Sequence, residues 1–390
     1  MSANILILTE EFGTGHIKVA EALMQSISQL EPSITTQMIE PAKLLRPNTS
    51  SFIIRSYKKM IMNCPQLWRF IYTKATYPYF MQQIIYHLFH RNIEEIVQRF
   101  QPDLIICTHP FSTSSIARMK RLGHHIPLCA VITDLHAHHV WVQPEVDLYI
   151  VSHNDVRKQL IDRGIRPDSI AVTGMPIRLH FWEKNSKWEA RKKLNLKNMP
   201  TIAIMGGGWG IGKMKEIAYA LLKWIDSIQV LICTGTNETL RRSLTKDESL
   251  RHPHITIAGF VERIDCWFDA ADLMITKPGG ITIFEAITKG VPLLLYDPIP
   301  GHEEYNCHVL VNAKLAIQIK EMKDMDHWIE KLVFSPSTYD DWKARMTQFQ
   351  KGANPLAGAQ SVLQLLSQTT RLPVSDHRPS VSLNKFIEHQ

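Results

Sequence analysis

The chain alternates between short, continuous apolar runs and longer stretches whose apolar positions recur at helical spacing. Runs without polar alternation suit strands covered on both faces, as in parallel sheets. Strands are predicted at 5–9, 35–39, 104–108, 128–133, 148–151 and 170–172, and helices at 17–30, within 52–100, at 114–122 and at 154–163. Residues 183–197 are charged and carry no strand pattern. A second series follows, with strands at 201–205, 230–233, 256–258, 273–276 and 292–296, and helices within 340–367 close the pattern. Strand and helix in alternation, twice over, predict an α/β protein of two Rossmann-like domains facing across a cleft. The expected boundaries are 1–182 and 195–340, then terminal helices over 341–370 and a flexible tail over 371–390.

A length of 390 residues accommodates two such cores. The six cysteines are scattered with no CxxC pair, which points to thiols in a reducing compartment. The opening MSANILILTEEFG lacks the basic start and long apolar core of a signal peptide. No run approaches the roughly 18 apolar residues of a membrane span, so a cytoplasmic location is expected.

Charge changes this picture. The net excess is +7, and residues 43–100 alone hold nine lysines and arginines against Glu94 and Glu95. Aromatics are interleaved with them, among them Phe52, Tyr57, Trp68, Phe70, Tyr72, Tyr77, Tyr79, Phe80, Tyr86 and Phe89. Two readings stand. The segment lies on the anionic inner face of a membrane, or it is a solvated basic face over an aromatic core. Nucleic acid is not favoured, because no stacking or groove-reading motif accompanies the charge.

Candidate chemistry gathers in the turns that join strands to helices. Lys277-Pro278-Gly279-Gly280 makes a tight turn into a helix, where bare N–H groups and the helix's positive end suit a diphosphate. Glu285 follows one turn in and suits ribose hydroxyls. A structural role competes for it, since Thr282 and Glu285 fit the capping box T-x-x-E. The run GGGWG at 206–210 also follows a strand, and its backbone, at Gly207 and Gly208, is expected to approach a ligand. Neither this loop nor the one at 11–16 completes GxGxxG, which argues against a nicotinamide-dependent oxidoreductase even though Glu40 follows the second strand.

His16 stands at the start of the first helix, where the dipole disfavours imidazolium and leaves a neutral ring able to take a proton. His136, His138 and His139 follow another strand, but no cysteine or carboxylate cluster completes a metal site with them. Asp324 and Asp326 sit where helix N-capping explains them. No metal and no cofactor is expected.

Seven motifs in order carry a resemblance: GTGHIKVAEAL at 13–23, TDLHAHHVWV at 133–142, VTGMPIR at 172–178, GGGWG at 206–210, AGFVERID at 258–265, TKPGGITIFEA at 276–286 and PIPGHEEYN at 298–306. From about residue 5 to 367 the chain resembles the monogalactosyldiacylglycerol synthase and processive diacylglycerol glucosyltransferase group of family 28 glycosyltransferases. The resemblance implies a GT-B fold. It implies inverting, metal-independent transfer of a hexose from a UDP-sugar to a diacylglycerol-type lipid, on the inner face of the cell membrane, with His16 as base. On the donor side it implies Gly207, Gly208, Phe260, Val261, Lys277, Gly279, Gly280, Glu285, His302 and Glu303. Gly279 and Gly280 would hold the diphosphate, Glu285 the ribose, Phe260 and Val261 the uracil, and His302 with Glu303 the sugar. His302 stands where the family usually has Gln. Gly15, Asp134, His138 and Trp141 are expected on the acceptor side. A sugar-nucleotide epimerase of the same fold, or transfer to another acceptor, remains the alternative.

Overall fold

The runs LIIC (Leu104–Cys107), LCAV (Leu128–Val131) and TIAIM (Thr201–Met205) are buried at every position in the computed structural model, which describes residues 3–73, 86–87 and 92–370. Such strands need helices on both faces and neighbours on both edges. The first half supplies β1 (Asn4–Leu8), α1 (Gly15–Leu30), β2 (Thr35–Ile39), α2 (Pro41–Leu45), α3 (Pro47–Asn63), α4 (Pro65–Thr73), α5 (Ile93–Phe100), β3 (Leu104–Cys107), α6 (Pro110–Arg121), β4 (Leu128–Val131), β5 (Leu148–Val151), α7 (Asn154–Ile161) and β6 (Ile170–Val172). The second half supplies α8 (Lys187–Lys193), β7 (Thr201–Met205), α9 (Met214–Leu221), β8 (Gln229–Cys233), α10 (Glu238–Lys246), β9 (Ile255–Ala258), α11 (Asp265–Ala270), β10 (Leu273–Thr276), α12 (Gly280–Lys289), β11 (Leu293–Leu295), α13 (His302–Asn312), β12 (Ala316–Gln318), α14 (Met322–Phe334), α15 (Asp340–Phe349) and α16 (Ala357–Thr370).

Each half is a six-stranded, all-parallel sheet. The orders are β2-β1-β3-β4-β5-β6 and β12-β11-β10-β7-β8-β9. The predicted strands are all present, and the three-residue β12 is an addition. In an open parallel sheet the crevice for a ligand lies at the carboxyl ends of the strands where the order reverses. Those points are β1/β3 in the first sheet and β7/β10 in the second, so the loops opening α1 and α12 both sit at a crevice.

The halves are not separate in their packing. One apolar cluster joins Ile5, Val19 and Leu23 of the first to Ile204, Phe268 and Ile283 of the second, and Phe181 meets Phe268 edge-on at 5.3 Å. The last described helix, α16, returns to pack on α1 and β5 of the first half, with Gly358 against Leu23 and Pro176. Of the basic aromatic segment, Lys74, Tyr77, Tyr79, Phe80, Phe89 and Arg91 lie outside the described residues, as does the expected tail at 371–390.

Candidate active site

Three helices end their N-termini on one cavity of about 130 Å³ between the halves: α1, α12 and α13. Gly15, His16 and Asp134 line it from the first half, and Gly207, Gly208, Lys277, Gly279, Gly280, His302 and Glu303 from the second. A second cavity of about 80 Å³ shares Thr14, Gly207, Gly208, Ile281 and Thr282 with it and adds Phe260, Val261, Glu285 and Arg178. Helix N-termini present unsatisfied N–H donors and partial positive charge, so the shared zone favours an anionic group.

His16 is the second residue of α1. Its Nδ1 lies 2.8 Å from the Thr108 carbonyl oxygen and 3.0 Å from Thr133 Oγ1. A carbonyl can only accept, so Nδ1 carries the proton and Nε2 keeps its lone pair. Protein surrounds the ring closely, and desolvation lowers its pKa, while the Asp134 carboxylate and the Thr108 hydrogen bond pull the other way. The result is a neutral imidazole with one defined basic nitrogen.

The donor-side turn differs in build. Gly279 is the N-cap and α12 begins at Gly280. A Cβ at Gly280 would fall 2.3 Å from the Thr133 carbonyl oxygen, so only glycine allows the two halves to meet there. This start corrects the capping-box expectation. Thr282 is the third residue of the helix rather than its cap, and Glu285 lies six residues in. Glu285 is buried and ion-paired to the buried Arg178, whose Nη2 donates to Oε1 at 2.9 Å. Burial raises its carboxyl above the usual range against the pull of Arg178.

Lys277 and Glu303 form a second buried pair at 3.2 Å, and Glu303 Oε2 also accepts from the Ile299 N–H at 2.7 Å. Asn306, fully buried, ties the halves together. Its Nδ2 donates to Asp134 Oδ1 at 3.1 Å and to the Pro278 carbonyl at 3.0 Å, and its Oδ1 accepts from the Leu135 N–H at 2.9 Å.

Phe260 is 57% exposed beside the second cavity, with Lys18 Nζ 5.7 Å from its ring centre. Two residues expected on the acceptor side lie outside both cavities. Trp141 belongs to the apolar core of the first sheet and lines neither cavity. His138 also lines neither; it packs against Tyr72, and burial beside His139 pushes its pKa down to about 3. Arg178 and Asn306 were missed, although each ends a quoted motif. A lone Arg or Asn has no spacing partner to mark it.

The family model for monogalactosyldiacylglycerol (MGDG) synthase matches residues 16–177, and the glycosyltransferase family 28 C-terminal domain matches 201–354. A processive diacylglycerol beta-glucosyltransferase of Bacillus licheniformis is 32% identical over 345 residues, covering 87% of this chain and 89% of that one. The chain belongs to the MGDG synthase group of family 28 glycosyltransferases. It is therefore a hexosyltransferase, and the epimerase and oxidoreductase readings fall away. Solved structures agree on the fold: Anabaena Alr3699/HepE in complex with UDP (TM-score 0.56, 13% identity, 94% of this chain and all of that one) and a putative UDP-N-acetylglucosamine 2-epimerase from Listeria monocytogenes (TM-score 0.65, 13% identity, 95% and 97%). At such identities the likeness carries the GT-B fold alone.

Proposed function

We propose that this glycosyltransferase moves a hexose from a UDP-sugar to a diacylglycerol-type lipid at an anionic membrane surface, with inversion, without a metal and with His16 as base. The observation that carries the chemistry is the pairing of His16 Nε2, free to accept, with three helix N-termini around the same cavity. The acceptor hydroxyl gives its proton to Nε2 as its oxygen attacks the anomeric carbon. The bond to the diphosphate breaks on the opposite face, and the leaving charge meets the amide of Gly280 and the end of α12, at the Gly279–Gly280 turn. Phe260 and Val261 take the uracil, Glu285 the ribose, and His302 and Glu303 the hexose.

The acceptor assignment rests on the named relatives and on the surface of α3 and α4. Phe52, Met62, Leu67 and Phe70 are exposed there beside Arg55, Lys58, Lys59 and Arg69. Apolar side chains among cations suit an anionic bilayer, at about 1 kcal/mol per basic residue near the surface. No described helix is long and apolar enough to cross a membrane.

The test supplies UDP-glucose and UDP-galactose in parallel with diacylglycerol in anionic vesicles. Glycolipid from one of them is expected, and His16→Ala should lower kcat by about 10³-fold, within the range of a lost general base, with UDP affinity unchanged. No glycolipid from either donor, or wild-type kcat in the variant, overturns the reading.

A further inference from the structure

The helix pair that carries the exposed apolar face also grips the donor half. Tyr57 and Ile61 of α3 line the larger cavity, and Tyr57 meets Trp209 of the 206–210 loop at 6.2 Å. Lys58 Nζ lies 5.5 Å from the Trp209 ring centre. Farther along, α4 reaches the first turn of α13. The Tyr72 ring lies against the backbone of Gly301, where a Cβ would fall 2.5 Å from Cδ1; φ of Gly301 is +94°, so no other residue is accommodated. The same ring sits 4.5 Å from that of His138 and 5.9 Å from that of His302. Its backbone carbonyl accepts from His138 Nε2 at 3.3 Å, which fixes the chain at this point.

Arg69 completes the grip. Glu304 caps α13 by accepting the Gly301 N–H on Oε2 at 2.9 Å, and its Oε1 is ion-paired with Arg69. The cap that orders this helix start therefore answers to a side chain from the other half. His302 and Glu303, the first two residues of α13, face the cavity. Displacing α4 would move the turn that presents them.

We infer that Arg69 and Tyr72 are positioning residues that hold the first turn of α13 against the donor hexose, so that the helix pair meeting the lipid also sets affinity for the sugar. The inference rests on the reading that His302 and Glu303 contact that hexose. The contacts described for Tyr72 and Arg69 run to Gly301, His138, His302 and Glu304, at the start of α13. Their loss should therefore weaken UDP-hexose and spare UDP.

Calorimetric titration of the full chain with UDP and with the UDP-hexose it turns over separates these effects. Tyr72→Ala should raise Kd for UDP-hexose about tenfold and Arg69→Gln about threefold, with Kd for UDP unchanged and Tyr72→Phe close to wild type. Arg69→Gln should add nothing on a Glu304→Gln background. Equal weakening of UDP and UDP-hexose, or no change in either, overturns the inference. If Tyr72→Ala does not fold, Tyr72→Leu and Arg69→Gln decide it by the same ratio. His302→Ala is the control: if it also leaves hexose affinity intact, the hexose assignment fails; if it weakens UDP-hexose while Tyr72→Ala and Arg69→Gln do not, only the coupling fails.

Discussion

The turns after β1 and β10 are the same device put to opposite uses. Each leaves a parallel sheet at its switch point and opens a helix onto the cleft. After β1, α1 carries a side chain at its second position, and Thr108 and Thr133 fix the His16 ring. After β10, the cap and the first helical residue are both glycine, so no side chain covers the Gly280 amide and the backbone of the other half comes close, while the Gly279 N–H donates to the Lys277 carbonyl at 2.8 Å. On the proposed reading, one βα turn yields a base or an anion cradle according to whether a side chain stands at the mouth of the helix.

The comparison breaks most sharply at Arg178, because the cradle side borrows it from the segment that ends the first half. Removing one partner of a buried ion pair strands a charge, and Arg178→Ala should lose about 3–5 kcal/mol in denaturant unfolding. A loss under 1 kcal/mol would show that Glu285 does not depend on it. Next comes Gly280→Ala, which gives the cradle the side chain that the base side has. Its Cβ meets the Thr133 carbonyl rather than a yielding side-chain end, so about 1–3 kcal/mol of strain is expected. UDP binding should weaken with it, while His16 stays in place; unchanged UDP affinity would count against the cradle.

On the base side, Asp134→Asn tests the field around His16. Burial already lowers this pKa, so the rate should hold as pH falls and drop only below the ordinary histidine range. The Asp134 charge raises the pKa, and its removal should move the acid limb of kcat to lower pH still. A shift upward would mean that another group titrates. The smallest effect belongs to Thr282→Ala. Thr282 caps nothing, and the change should stay within about 0.5 kcal/mol. A loss of 1 kcal/mol or more would restore the capping box.

How much of this was legible depended on length scale. Strands such as Leu104–Cys107 and Thr201–Met205 announce themselves because burial on both faces demands a continuous apolar run. Ala316–Gln318 does not, since three residues ending in a polar Gln fall below any periodicity. His16, Gly279 and Gly280 were readable from their place between strand and helix. The sequence left capping and ribose binding both open for Glu285, because T-x-x-E fits equally well inside a helix and nothing local says that α12 begins at Gly280. Arg178 and Asn306 act across 107 and 172 residues of chain, on Glu285 and Asp134, and local pattern carries no record of such partners. Trp141, expected on the acceptor side, packs in the apolar core of the first sheet, since a Trp near polar residues in sequence can still point the other way.

The return of α16 to the first half has a consequence for how the protein is made. A chain emerging from the ribosome completes β1 through β6 early, yet α1 and β5 lack the cover that Ala359, Val362 and Leu366 provide until the last helix arrives. The donor half, synthesised later, is complete earlier. Shortening the chain at its far end should therefore injure the half that was built first.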